Sequence, residues 1–271
     1  MTTTAGALAG IGPLYRRRLA VTTRTLSGIV GQIATPILWV LIVAPALDAA
    51  LGGFDPAIDY YTFVAVGQVA FLVPFTAMFN GLNVIVDKDF GITRELVVAP
   101  IPRRAVTLAN ALGVLTIALV QVMLIVVLAV ARGARFHTSV SGLVWFVAAA
   151  ALLTLTIYGV AEILALRIRR QEAYGPLIPA VGVTPWFLSG ALVPISVLPS
   201  GIEQLTLLSP WTHAVAVLRH GLMQGSDPGL AAIWHLDSEP VMAALSTLVL
   251  ALFAATTLTL AVRAFRRAAT A

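Results

Sequence analysis

The chain has 271 residues, 59% of them hydrophobic and 11% charged, with a mean hydropathy of +0.95. Soluble globular chains run near ~45–50% apolar and ~25% charged, so a soluble enzyme is excluded, and so is a disordered polymer. The net charge of +5 rests on Lys88 and a set of arginines clustered beside apolar runs, where they meet anionic headgroups rather than nucleic acid; with no cysteine there is no disulfide, thiolate metal site or cysteine catalysis.

Residues 13–27 set Leu14, Tyr15 and Leu19 against Arg16, Arg17, Arg18 and Arg24, the pattern of a helix lying in the inner headgroup layer, although arginines alone would also serve as a charged flank. They precede the first long apolar run and no cleavage site follows a short one, so the segment is not read as a signal peptide. Apolar windows of about 20 residues then predict six spans, at 28–47, 61–86, 106–131, 143–166, 175–193 and 241–262. The expected fold is an all-α integral membrane domain over 1–271, with no internal repeat, heptad seam or linker. Pro176, Pro179 and Pro185 should kink span five.

An even number of spans puts both termini on one side. Of the 17 basic residues, 14 then share that side: the N-terminal four, Lys88, Arg94, Arg103 and Arg104, Arg167, Arg169 and Arg170, and Arg263, Arg266 and Arg267. Arg132, Arg135 and Arg219 fall on the other, with Asp48, Asp55, Asp59, Asp227, Asp237 and Glu239. Both termini are therefore expected in the cytoplasm. Residues 194–225, rich in Leu, Ile and Val and holding Trp211, are broken by Pro194, Pro199 and Pro210 and are expected to re-enter the outer leaflet.

Catalytic patterns are missing. No Gly-Lys pair occurs, so there is no phosphate-binding loop of the usual kind and energy must come from elsewhere. His137, His213, His220 and His235 fall in external segments without carboxylates at ligand spacing, and read as surface or interface histidines rather than metal ligands. A serine protease centre at Ser189-Gly190 fails because Phe187 stands at the motif's first glycine and the last span offers no histidine. Glu162 is the one ionisable residue expected inside a span; it lies near Arg167 and could pair with an arginine, contact a cytoplasmic partner or carry a proton. Gln68, Asn80, Asn83, Asn110 and Gln121 are expected to hold helices together or to face a route. In the loop 87–104, Ile92 and Leu96 share a helical face flanked by Arg94 and Glu95, with Pro100 and Pro102 ending the helix. Such a helix can dock into a soluble partner or serve as a solvated connector.

The spacing Asp87-x-x-x-Gly91-x-x-x-Glu95-Leu96-x-x-x-Pro100-x-x-Arg103 resembles the segment after the second span of ABC-2 type transporter permeases. Phe187 to Pro194, Leu198-Pro199, Leu208 to Ala214 and Leu218-Arg219 are similar to that family's fifth span and external region, with Ser209 where the family often has asparagine. The resemblance implies a permease subunit of an exporter of drugs, lipo-oligosaccharides or polysaccharides in the bacterial inner membrane. It implies a second permease copy or a related permease, and two ATP-binding subunits that hold ATP and Mg, with no cofactor or metal on this chain. It also implies that Asp87, Gly91, Ile92, Arg94, Glu95, Leu96 and Arg103 contact the ATPase together with the N-terminal helix, and that spans two and five line the route. Phe71, Phe75, Phe79, Asn83, Trp186 and Phe187 are then the candidate lining, though an aromatic stripe also suits packing. A secondary carrier would show inverted repeats, which are not seen; a non-transporting assembly partner would need no route. The orientation is checked by cysteine labelling: Glu95→Cys should react with an impermeant maleimide in opened vesicles only, and labelling in intact cells would reverse the topology.

Overall fold

The computed structural model describes residues 10–23, 34, 37–51, 59–99, 101–168, 170–195, 198–225 and 229–268. Arg24, Asp55, Pro100, Arg169, Asp227 and most of 28–36 lie outside the described residues. Within them the chain is helical and contains no strand, only an isolated bridge between His137 and Met223.

After α1 (Ile11–Thr23), a π-turn at Trp39–Val43 runs into α2 (Ala44–Leu51). Next come α3 (Tyr60–Asp89), α4 (Ile92–Val98), α5 (Arg103–Ala131) and α6 (Val140–Arg167). The short helices α7 (Gln171–Tyr174), α8 (Leu177–Gly182) and α9 (Thr184–Phe187) follow, then α10 (Ser200–Thr206), α11 (Pro210–Leu222), α12 (Gly229–Trp234) and α13 (Glu239–Ala268).

Four helices, α3, α5, α6 and α13, are long and apolar enough to cross a membrane. They coincide with the windows 61–86, 106–131, 143–166 and 241–262. The other two expected spans are not shown as such. The described part of the first is a shorter apolar helical stretch, Trp39–Ala50. The window 175–193 is not one helix: it forms α8 and α9, broken at Val183, and ends in a turn at Gly190, whose φ of +82° is left-handed. The physical reason is the set Pro176, Pro179 and Pro185, each lacking the N–H that a continuing helix donates.

Local chemistry fixes the long helices. Asp59 caps α3, accepting from the Thr62 amide at 3.3 Å and its hydroxyl at 2.8 Å, and Ser139 caps α6 by accepting from the Gly142 amide at 3.1 Å. Gly91 at φ +74° turns the chain between α3 and α4. The first half of α3 is buried on all sides, as its all-round apolar sequence demands. By contrast α5 leaves Val120, Met123, Val127 and Val130 exposed, and α13 leaves Leu248, Leu252 and Leu260, surfaces suited to lipid.

α6 packs against α3, α11 and α13, with glycines at the crossings. A Cβ at Gly221 of α11 would lie 2.7 Å from the Gly142 carbonyl of α6, and one at Gly159 of α6 would lie 2.7 Å from the Thr257 side chain of α13. α11, in the middle of 194–225, is buried from Trp211 to Leu222 apart from the half-buried His220. His213 is therefore not a surface histidine. Its Nε2 donates to the Leu207 carbonyl at 3.0 Å, leaving Nδ1 to accept from the Ser246 hydroxyl at 3.1 Å, which in turn accepts from Trp234 Nε1 at 2.7 Å. His220 Nδ1 lies 3.6 Å from Glu239 Oε2.

The glycine crossing can be checked directly. Gly159→Leu should overpack the α6–α13 contact by about 1–3 kcal/mol and lower the melting temperature in detergent by roughly 5 °C. Gly12→Ala, where nothing lies within 4 Å of the added Cβ, should leave it unchanged.

Candidate functional site

Three constructions converge on α3: a clamp at its C-terminal end, an aromatic ladder along one face, and a clamp at its N-terminal end.

At the C-terminal end of α3, α1 packs on α5, joined by Tyr15 and Thr116 hydroxyls 3.0 Å apart. Arg16 and Arg17 are exposed, but Arg18 is buried. It passes Gly113, where a Cβ would come within 2.9 Å of Arg18 Cγ. Its Nη2 donates to the Asn80 carbonyl at 3.2 Å, and its Nη1 stands 3.6 Å from Asp87 Oδ2. Arg17 approaches the other oxygen of Asp87 at 3.5 Å. Burial pulls the Arg18 guanidinium below its ordinary value, while Tyr158 and Asp87 work against that shift. Its headgroup role is thus corrected: the α3–α5 groove has a carbonyl and a carboxylate waiting for it.

Behind Arg18, Asn80 donates to the Thr76 carbonyl at 3.0 Å, Asn83 donates to Asn80 Oδ1 at 3.3 Å, and Thr76 donates to Gln121 Oε1 at 2.7 Å. Lys88 Nζ donates to the carbonyls of Ala165, Leu166 and Ile168, each at 3.2 Å, and so caps the C-terminal end of α6. Glu162 does not reach Arg167. It is buried and accepts from Thr107 Oγ1 at 3.0 Å, which ties α6 to α5. Arg103 Nη1 donates to the Arg266 carbonyl at 3.3 Å, at the end of α13.

Beyond this clamp the loop projects. Phe90 is 78% and Val98 86% exposed, Glu95 is exposed, and Ile92 and Leu96 are half-buried; the side chain of Arg94 is outside the described set. Phe90 and Val98 were not singled out in the sequence, because apolar content there reads as part of the flanking spans.

The ladder runs along α3. Phe71, Phe75, Phe79 and Asn83 are spaced by four and share one face. Ring centroids of Phe71 and Phe75 are 5.5 Å apart, and of Phe75 and Phe79 4.6 Å. Trp186 joins Phe71 at 5.1 Å and Phe187 at 4.9 Å. Trp39 completes the cluster, 5.1 Å from Phe71 and 5.6 Å from Trp186; nothing near it in the chain marks it in advance. Phe71 and Trp186 are buried, Phe75 half-buried, while Phe79 is 44% and Phe187 54% exposed. The ladder therefore grades from core to surface.

At the N-terminal end of α3 the key residue is Arg219, which the charge count assigns to the external side, within 194–225. It is buried in α11. Nη1 donates to the Gly190 carbonyl at 2.8 Å and Nη2 to the Ala191 carbonyl at 2.7 Å and the Phe63 carbonyl at 3.4 Å, and the guanidinium carbon lies 3.3 Å from the centre of the Phe63 ring. Tyr60 donates to the Leu192 carbonyl at 2.5 Å, and Trp186 Nε1 to the Gly67 carbonyl at 2.9 Å. Gly67 is required there, since any Cβ would strike the Ala191 backbone. Among the described residues no three of His, Asp and Glu come together as a metal would need.

The family described as ABC-2 type transporter matches residues 11–223. This chain belongs to the ABC-2 type transporter family. Its similarity extends to a protein of Porphyra purpurea named "Putative transport permease ycf38", 24% identical over 212 residues, 78% of this chain and 72% of the relative. A protein of the same name from Pyropia yezoensis matches to the same extent. Another, from Cyanophora paradoxa, is 22% identical over 232 residues, covering 83% of this chain and 78% of its own length.

Membership together with four spanning helices makes this ABC-2 permease a multi-pass membrane protein, and the family implies pairing with an ATP-binding subunit. The match holds α1 to α11, hence both clamps and the ladder, and stops before α12 and α13. The Arg219 clamp is testable. Arg219→Met leaves buried carbonyls without their donors, each at about 1–3 kcal/mol, and should lower the melting temperature by at least ~5 °C and open residues 188–195 to protease, with Arg219→Lys intermediate. An unchanged melting point and digestion pattern would show that Arg219 does not hold that turn.

Proposed function

We propose that this chain is the permease subunit of an ATP-driven exporter, moving a lipophilic drug, lipid or glycan outward. Two copies, or this chain and a related permease, form the route, and two separate ATP-binding subunits supply ATP and Mg. Family membership supports the permease role. The observation that carries the coupling is the projecting tip: Phe90, Glu95 and Val98 stand out in solvent just beyond the point where α3 is fastened to α1 and α6. Large apolar side chains exposed on a short helix favour a protein partner over a mere connector.

In this reading 28–47 and 175–193 complete six spans, with 194–225 re-entrant and both termini cytoplasmic in a bacterial inner membrane, as 14 of the 17 basic residues favour. Arg16, Arg17 and, in sequence, Arg24 lie along the inner surface. Closure of the ATPase pushes on α4 through Ile92, Arg94, Glu95 and Leu96, with Gly91 as the turn. The Asp87 and Lys88 contacts transmit that push to α1 and α6, and Arg103 to α13. The moving face is the stripe Phe71, Phe75, Phe79 and Asn83 with Trp186 and Phe187, of which Phe79 and Phe187 meet the substrate or the second permease. The inner clamp favours rigid-body movement of α3 with its neighbours over bending at the loop.

The coupling is tested in proteoliposomes or cells with the cognate ATPase. Glu95→Arg and Leu96→Asp should cut transport and substrate-stimulated ATP hydrolysis by tenfold or more, with Glu95→Ala milder, because reversed or buried unpaired charge costs more than a lost contact. Asp55→Arg, external by the charge count, should do little. Inserted Glu95→Arg and Leu96→Asp proteins that transport at the wild-type rate would reduce the loop to a connector.

A further inference from the structure

Between the Arg167 end of α6 and the Arg267 end of α13 lies a groove of about 560 Å³. It begins a turn beyond the Gly159–Thr257 contact. Its walls include Ile163 and Leu166 from α6 and Leu260 from α13, and its rim carries Arg167, Arg263 and Arg267. No acidic residue among the described ones lines it. Arg167 and Arg263 are exposed, and among the described residues neither takes part in an ion pair.

Two features decide what fits. Guanidiniums from two spans converge on one opening, the arrangement that captures a phosphate by paired N–H donors. Below them the surface turns apolar, and Leu260 continues the exposed face of Leu248 and Leu252, spaced by multiples of four along α13. That face has to be covered by acyl chains. A free anion would satisfy the rim and leave the walls bare; an acidic peptide would have to descend below headgroup level to reach them. Basic pockets between spans at the cytoplasmic surface hold anionic headgroups by the same balance.

We infer that this groove binds one anionic phospholipid of the inner leaflet, its phosphate between Arg167 and Arg263 and a chain along Leu260 and Ile163. The site rests on α6 and α13 being spans with these ends at the cytoplasmic side, as proposed above, and is independent of how the ATPase couples.

The test is native mass spectrometry and thermal shift on the purified full chain in detergent, with phosphatidylglycerol, phosphatidylcholine of the same chains, or soluble glycerol phosphate added. Phosphatidylglycerol should bind at least fivefold more tightly than phosphatidylcholine and raise the melting temperature; glycerol phosphate should neither stabilise nor compete. Arg167→Gln with Arg263→Gln should weaken phosphatidylglycerol binding by tenfold or more while the melting temperature in phosphatidylcholine stays put. Arg104→Gln, a control at the same membrane surface, should bind as wild type. Should the double Gln protein not fold, Arg167→Lys with Arg263→Lys keeps the charge and should retain most of the preference, while Leu260→Gln should weaken both lipids. Equal binding of the two lipids, or wild-type binding by the double Gln variant, would overturn the site. Full competition by glycerol phosphate would make it a free-anion site, and loss of ATPase co-purification in the double Gln variant with lipid binding intact would make it a protein contact; either overturns the inference. Because the lipid-binding and melting readouts use the permease alone, they can fail while transport coupling holds, and the reverse.

Discussion

Carbonyls of α3 at Phe63, Gly67, Met78 and Asn80 each accept a side-chain donor, from Arg219, Trp186, Tyr174 and Arg18 respectively. A helical carbonyl has a second lone pair after its backbone bond is made, and in an apolar surround a donor without a partner is strongly disfavoured. α3 is therefore more than the central apolar rod. It is the acceptor rail on which α1, the broken 175–193 stretch and α11 are placed, and its glycines at 67 and 81 let Ala191 and Tyr174 come close enough to use it.

This explains how a stretch too broken for one helix still holds its place. α7, α8 and α9 have little helical length of their own, but Tyr174 reaches Met78 at 2.9 Å, Trp186 reaches Gly67 at 2.9 Å, and the Gly190–Ala191 turn is gripped by Arg219. Point contacts at three heights fix position while leaving the backbone between them free of a continuous ladder. In the proposed exporter that combination suits an element that must follow α3 when it moves. A full helix would resist by its own hydrogen bonds; a loop would not follow.

The spans at α3, α5, α6 and α13 were legible because about 20 apolar residues in a row has no other stable use in so hydrophobic a chain. The same measure is blind to continuity, so it does not separate one helix over 175–193 from the two short ones, α8 and α9, that its prolines make. Pairings across the fold were not legible at all: Glu162 meets Thr107, 55 positions away, rather than the nearby Arg167. The aromatic stripe was legible in part. Spacing by four put Phe71, Phe75, Phe79 and Asn83 on one face, and Trp186 and Phe187 do join it, but Trp39 enters from a segment with no periodic link to α3. The expected docking group separates: Asp87 and Arg103 are engaged within the chain, while Glu95 is exposed and Phe90 and Val98 stand further out still.

Charge counting treats every arginine as the same marker, and the fold shows why that is too coarse. Orientation depends on where a basic residue sits relative to the bilayer; stability depends on what its guanidinium touches. Arg18 serves both ends, counted on the side of the majority while bridging α1 to Asn80 and Asp87. Arg219 is assigned by the same count to the minority side, where positive charge does nothing for orientation. Its burial is compensated by carbonyls from two segments and by the Phe63 ring. A lysine at that position would offer one compact ammonium to acceptors that lie in different directions, whereas the planar fork reaches them together. The basic residues that break the positive-inside pattern are thus where a structural role should be sought first, since topology gives no reason for them.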